Sequence, residues 1–268
     1  MSSLTAYASA SARDSAAPAS SNPGLCIFNT DNKAIEVSDG TNYLTYNNDG
    51  ITYDFSGSNS NSGDFDGAND WVVVGTMSEL NSSSDFSFTA WFNLDGSPSN
   101  ESLMGAGSGT TSNRVWVAIN NSTSIRIGVG TAFDDFTVST LTTNGTQWYH
   151  LAATVSGTTA TVYLDGSLVD TATCSSPTST AFNDLRLGAL NGTGSFGGNT
   201  NPFGGYLDEV ALYNRAITST EVSNIYNNKI YVAPTAMYRL DNDVTDETGN
   251  YDGTNNGVDF PDPANTPY

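Results

Sequence analysis

Residues 148–173 read WYHLAATVSGTTATVYLDGSLVDTAT. Three short β-type runs, 148–155, 160–164 and 168–171, are separated by Ser156-Gly157-Thr158-Thr159 and by Asp165-Gly166. An Asp-Gly pair between β-branched and aromatic residues is a strong hairpin signal. A type I′ turn needs φ > 0 at both central positions, and these two residues tolerate it. With a side-chain period of two, Tyr149, Leu151, Ala153 and Val155 share one face of the first run. Trp148, His150, Ala152 and Thr154 share the other. The pattern predicts an antiparallel meander at the heart of an all-β domain.

Working outward, residues 85–92 (DFSFTAWF) alternate strictly, with Phe86, Phe88, Ala90 and Phe92 on one face. Residues 114–119, 124–129 and 136–141 continue as short strands at the spacing of a sandwich. Residues 185–188 (LRLG) and 203–215 (FGGYLDEVALYNR) follow after the meander. One helix is legible. Thr218-Ser219-Thr220-Glu221 is a capping box, in which hydroxyl and carboxylate each satisfy an orphan backbone N–H. Val222, Ile225 and Tyr226 then form one apolar stripe.

Several of these runs together resemble the concanavalin A-like, laminin-G-like jelly rolls. The meander matches their W-x-H-x-A…Y-x-D-G signature, and residues 63–73 (GDFDGANDWVV) resemble their F-D-G-x-x-D strand. Residues 85–92, 203–215 and the short closing helix also fall in the family's order. The resemblance covers roughly residues 64–227 and implies a jelly-roll β-sandwich. Residues 236–250 (AMYRLDNDVTDETGN) resemble the family's opening strand, yet follow the closing helix. Residues 229–268 are therefore expected to supply a strand to the jelly roll of 49–228. The linker 227–234 is short, which favours insertion into its own domain, although a neighbour's sheet is the other possibility. A missing strand would leave an unpaired edge.

Residues 1–22 are small, polar and unpatterned, and read as an extended arm. Residues 23–48 hold two short hairpins, with strands at 25–29, 34–37 and 43–46. This small unit resembles a short module found in phage tail and fibre proteins, G-x-x-x-F-N-T-D-x-x-x-x-E-V-x-D-G-T, with Tyr43 where Trp is more usual.

The 268 residues suffice for one large sandwich with additions, or for two small domains. Eight basic against 28 acidic residues leave a net charge of −20, a surface that repels phosphate backbones and anionic lipid. Nucleic acid and membrane insertion are thus poor readings. The start of the chain shows no basic region leading into an apolar run, so no signal peptide is expected. Cys26 and Cys174 either pair once or stand as two separate buried thiols.

Some concanavalin A-like jelly rolls are glucanases, whose retaining chemistry needs two carboxyl groups ~5–5.5 Å apart. The six Glu (36, 79, 101, 209, 221 and 247) never fall at the paired spacing of that strand. His150, the single histidine, has no G-x-S-x-G partner and reads as a cross-strand or core residue. Catalysis is not expected. The resemblance implies a structural calcium held by Asp66, Asp208 and Asp241, and acidic oxygens are the hard ligands that Ca²⁺ takes. The loop 192–205 (GTGSFGGNTNPFGG) carries Phe196 and Phe203, expected to reach a ligand or another subunit from the rim.

These readings lead to a non-enzymatic, phage-type structural protein at the virion surface, a capsid decoration or a tail or fibre component. Its lectin-like jelly roll would bind other virion proteins or copies of itself, and attach to cell-surface glycans. The alternative is a glycan-binding adhesin or a secreted, extracellular carbohydrate-binding module. The four Trp and thirteen Tyr offer stacking platforms, most of them expected in the core.

Overall fold

The structure is a computed structural model. It describes residues 5–7, 26–29, 34–38, 43–47, 50–55, 61–107, 114–192, 198–261 and 266–267; up to residue 51, and over 191–200, it describes the backbone only. The chain divides into two units, Met1–Ser58 with Ser223–Ala233, and Asn59–Val222 with Pro234–Tyr268.

The smaller unit is a six-stranded sheet of β1 (Thr5–Tyr7), β2 (Cys26–Asn29), β3 (Ala34–Ser38), β4 (Tyr43–Asn47), β5 (Gly50–Asp54) and β20 (Ile230–Val232), in that order. The pairs Asn29↔Ala34 and Ser38↔Tyr43 are those of the two hairpins read between 23 and 48. β1 lies in the expected arm and runs parallel to β2. β5 joins this sheet instead of the jelly roll, because Asn47 faces Gly50 and the chain doubles straight back onto β4. Residues 50–54 thus pair outside the jelly roll expected at 49–228. Tyr231 comes back from the helix to pack on Phe55, which stacks on Tyr53, so three aromatic rings close the sheet's far edge.

The larger unit is an all-β jelly-roll sandwich. One sheet runs β15 (Ser167–Thr173), β14 (Thr159–Leu164), β13 (Trp148–Ser156), β8 (Phe86–Leu94), β19 (Gly204–Tyr213) and β21 (Ala236–Tyr238), with β6 (Gly63–Asp66) also on β19. The other runs β12 (Ala132–Thr137), β11 (Ser124–Val129), β10 (Arg114–Asn121), β9 (Glu101–Gly107), β16 (Leu185–Leu187), β7 (Trp71–Gly75) and β22 (Thr254–Asn256). Leu190–Gly192 (β17) and Gly198–Thr200 (β18) form a separate two-stranded ribbon.

The meander is as its residues dictate. Leu164 pairs with Ser167 across Asp165 and Gly166, whose φ values of 49° and 74° are those of a type I′ turn. Leu151, Ala153 and Val155 enter the core, where Phe86, Phe88, Ala90 and Phe92 of β8 meet them. The other face of β8 is buried too. Ser87 donates through Oγ to the Arg215 carbonyl at 2.9 Å and accepts from the Ile217 N–H at 3.0 Å, so the chain after β19 lies across it. His150 is fully buried against Trp91, with ring centroids 5.2 Å apart, the core role expected of it.

Among the described residues two helices are present where one was legible. The capping box holds α2 (Ser219–Asn228): the Thr218 N–H donates to Glu221 Oε2 at 2.7 Å, and the Glu221 N–H to Thr218 Oγ1 at 3.2 Å. The other, α1 (Ser78–Asn81), is one turn long, too short for helical periodicity to register. Cys174 is a buried free thiol, and the Cys26 side chain lies outside the described residues.

The tail threads both sheets. β21 pairs antiparallel with β19 (Val210↔Tyr238 to Leu212↔Ala236), and β22 with β7 (Thr254↔Val73 to Asn256↔Trp71). Between them the Asp246 carboxylate accepts from the N–H groups of Met237, Thr248, Asn250 and Tyr251 and from the Thr248 hydroxyl, all at 2.6–3.1 Å. Asp246 opens the stretch Asp246-Glu247-Thr248-Gly249-Asn250, and its buried carboxylate organises the turn.

Candidate functional site

Three strands of the second sheet place a polar and aromatic surface on its outer face. In β10 and β11 the core takes Val115, Val117, Ile119, Ile125, Ile127 and Val129. The alternate positions, Arg114, Trp116, Ala118, Asn120, Arg126 and Gly128, therefore point outward. Register aligns Trp116 with Gly128 and Gly128 with Phe133 in one row. It aligns Ala118, Arg126 and Asp135 in the next.

Gly128 is what admits the Phe133 ring. A Cβ there would stand 2.9 Å from Phe133 Cδ1 and 3.4 Å from Trp116 Cβ. Phe133 meets Trp116 edge-on, with ring centroids 5.7 Å apart, and remains 41% exposed. Trp116 is buried beneath, its indole N–H donating to Ser102 Oγ at 2.7 Å. Among the described residues only Phe133 and Leu168 are large exposed hydrophobics.

Two guanidinium groups flank the ring. Arg114 Cζ sits 3.8 Å from the Phe133 centroid and Arg126 Cζ 5.4 Å from it, cation–π geometry for both. Arg126 is committed. It grips Asp135 in a bidentate pair at 2.7 Å for each bond and donates to Asn100 Oδ1 at 2.6 Å. The hydrogen bonds to Asp135 and its charge outweigh burial and raise the Arg126 pKa above its ordinary value. Arg114 uses only Nε, donating to the Gly130 carbonyl at 3.2 Å, and has no carboxylate partner among the described residues. Burial, and then the neighbouring Arg126, push its pKa down, although a guanidinium stays charged at any physiological pH. An exposed ring, two forks of N–H donors and the amides of Asn100 and Asn120 can together hold a flat, hydroxyl-rich molecule.

The surface escaped the sequence reading for a local reason. The third strand of this group runs at Ala132–Thr137 and not at 136–141, because Val129 faces Ala132 across a tight turn with Gly130 at φ 63°. The earlier start turns Phe133 from a loop residue into an outward strand residue. The available signal was Arg114 and Arg126, two of only eight basic residues, on consecutive strands.

The expected sites fare differently. Phe203 is fully buried, edge-on to Phe65 at 5.9 Å, so it packs the core instead of reaching from the rim. It lies between Gly188 and Gly67, accepting from the Gly67 N–H and donating to the Gly188 carbonyl, which draws its side chain inward. Phe196 lies outside the described residues. Asp66 accepts from the N–H groups of Ala68 and Asn69 at 2.8 and 3.0 Å and caps its own turn, which lowers its pKa. Asp241 pairs with Arg239 at 2.8 Å. Asp208 is buried in mid-β19 opposite Trp91, whereas Asp66 pairs with Gly204, four residues away along the strand. Four residues of strand span about 13 Å, too far for one ion's ligand shell. Among the described residues no three His, Cys, Asp or Glu side chains form a group able to hold a metal. Asp208 and Glu209 instead form a β-bulge with Glu209 at φ 45°, both side chains buried.

The chain belongs to the concanavalin A-like lectin/glucanase superfamily, whose laminin-G-type family model matches residues 66–223. No curated protein matches it. Among solved structures it is similar to a protein described as carbohydrate-binding from Bacteroides ovatus, with TM-score 0.58 and 19% identity over 76% of this chain. The chain spans 60% of that protein's length. It is also similar to a heptameric pentraxin of Limulus polyphemus (TM-score 0.56, 12% identity, 76% of this chain and 96% of that one). A third likeness is the CBM40 of a Ruminococcus gnavus sialidase, at TM-score 0.50, 12% identity, and 63% and 97% coverage. At these identities the likeness is one of fold. No described helix is long and apolar enough to cross a membrane.

Proposed function

We propose that the protein is a non-catalytic glycan-binding module, and that it binds through the outer face of β10–β12. The observation that carries this reading is the exposed Phe133 ring set between two guanidinium forks on a rigid sheet. Sugars present apolar C–H faces and hydroxyl edges, which suit a ring bordered by N–H donors. The family and fold support the reading: the similar Bacteroides ovatus protein is described as carbohydrate-binding, and the similar CBM40 has been solved with α2,3-sialyllactose. The glycans of such a module lie outside cells. The virion-component expectation draws no support from the similar structures, and the glycan-binding reading stands ahead of it. A glycan array probed with the whole chain and with Phe133→Ala, each with and without chelator, tests the proposal. Binding by the parent that is lost in the variant, at an unchanged melting temperature, is expected. Absence of binding to any glycan, or equal binding by both proteins, refutes it. Loss of binding in chelator would show that a cation takes part in binding, at ligands other than the separated Asp66, Asp208 and Asp241.

A further inference from the structure

We infer that this surface selects acidic sugars, with a carboxylate or sulfate seated on Arg114; the inference rests on the glycan-binding reading above. The two arginines beside Phe133 differ in what they have left to give. Arg126 is neutralised by Asp135 and further tied to Asn100. Arg114 spends Nε on a backbone carbonyl and has no carboxylate among the described residues to meet its terminal nitrogens. A planar fork without a counter-anion, 3.8 Å from an exposed ring, suits an oxyanion attached to a ring lying beside Phe133.

Arg114 is also placed where its charge is felt. Asp135, the carboxylate in the Arg126 row of this face, is already paired with Arg126. The chain as a whole carries −20, a field that physiological salt screens over a Debye length of about 8 Å. Long polyanions still meet that field along their whole length, so the expected ligand is a short glycan with one or two acidic groups.

Calorimetric titration tests this with matched pairs: α2,3-sialyllactose against its methyl ester, and sulfated lactose against lactose. The acidic member of at least one pair is expected to bind about tenfold more tightly, with carboxylate and sulfate distinguished by which pair responds. Arg114→Gln should erase that difference, so that the acidic and neutral members of the pair bind alike. Arg114→Lys, which keeps the charge but not the fork, should retain only part of it. Equal binding of both members of both pairs overturns the inference and leaves the glycan-binding reading standing. So does an acidic preference that survives Arg114→Gln in a protein with unchanged melting temperature. If neither these sugars nor any on the array bind, both readings fall together.

Discussion

At the scale of single residues, stability concentrates where backbone and side chain have no alternative. Asp165 and Gly166 both occupy φ > 0, and a β-branched residue resists that region. Gly166→Val should lower stability by ~1 kcal/mol or more in urea unfolding, and an unchanged midpoint would contradict the turn. Gly205 is held more tightly, at φ 138° with the Asn93 carbonyl where its Cβ would stand, so even Ala should be poorly tolerated there. Asp246 is the polar counterpart. Its carboxylate accepts from four backbone N–H groups and one hydroxyl in a buried turn. Asp246→Ala strands those donors and should cost roughly 3 kcal/mol or more, with Asp246→Asn costing less. Chemical denaturation of the three proteins side by side decides it.

At the scale of elements, the tail does the most for its length. β21 and β22 each form an edge of one sheet, so a single segment completes both layers of the sandwich. Ala236, Tyr238, Leu240, Val244 and Val258 from this segment lie in the core. At about 1.5–3 kcal/mol for each large apolar side chain, their loss rivals the 5–15 kcal/mol that holds a typical domain together. Removing residues 234–268 would also leave β19 and β7 with unpaired backbone, an invitation to aggregate. The truncated chain is expected in the insoluble fraction. A soluble, monomeric product with the parent's melting temperature would show that the tail is dispensable.

Across the whole molecule, net charge and clustered carboxylates set the response to pH. Asp64 lies among Asp259, Asp95, Asp70 and Asp66, and burial followed by these charges raises its pKa above the usual 3.8. Burial likewise raises Asp70, Glu101 and Asp165. A carboxyl group with a raised folded-state pKa binds its proton more tightly when folded. Its contribution is therefore fully present below the ordinary carboxylate range and is lost as pH rises through the raised value. Glu221 runs the other way: hydrogen bonds from Arg215 and Thr218 outweigh its burial and lower its pKa, so its contribution is lost only in stronger acid. The melting temperature should thus rise as pH falls from neutrality toward the ordinary carboxylate range, then fall in stronger acid. Asp64→Asn should raise the value at pH 7 and flatten the climb. Calorimetry between pH 3 and 8 checks both, and a monotonic decline from pH 7 downward would reject the account.

The sequence by itself determined the local structure. Alternation in residues 85–92 and 148–155, the Asp165-Gly166 turn and the Thr218–Glu221 box each act over a few residues, so neighbours in the chain suffice to specify them. The family followed from these runs, since their order along the chain carries the topology. Tertiary structure decided what depends on distant partners. Phe203 looked like a rim residue within its glycine-rich loop, yet Phe65, far away in sequence, provides the site that buries it. Asp66, Asp208 and Asp241 share an acidic character that says nothing of their separation, which pairing along β19 sets. The Phe133 surface is the clearest case. Its ring, its glycine floor and its two arginines come from three strands, and shifting β12 by one residue would turn Phe133 into the core. Strand register decides which face a side chain takes, and register is a property of paired strands that no single stretch of sequence contains.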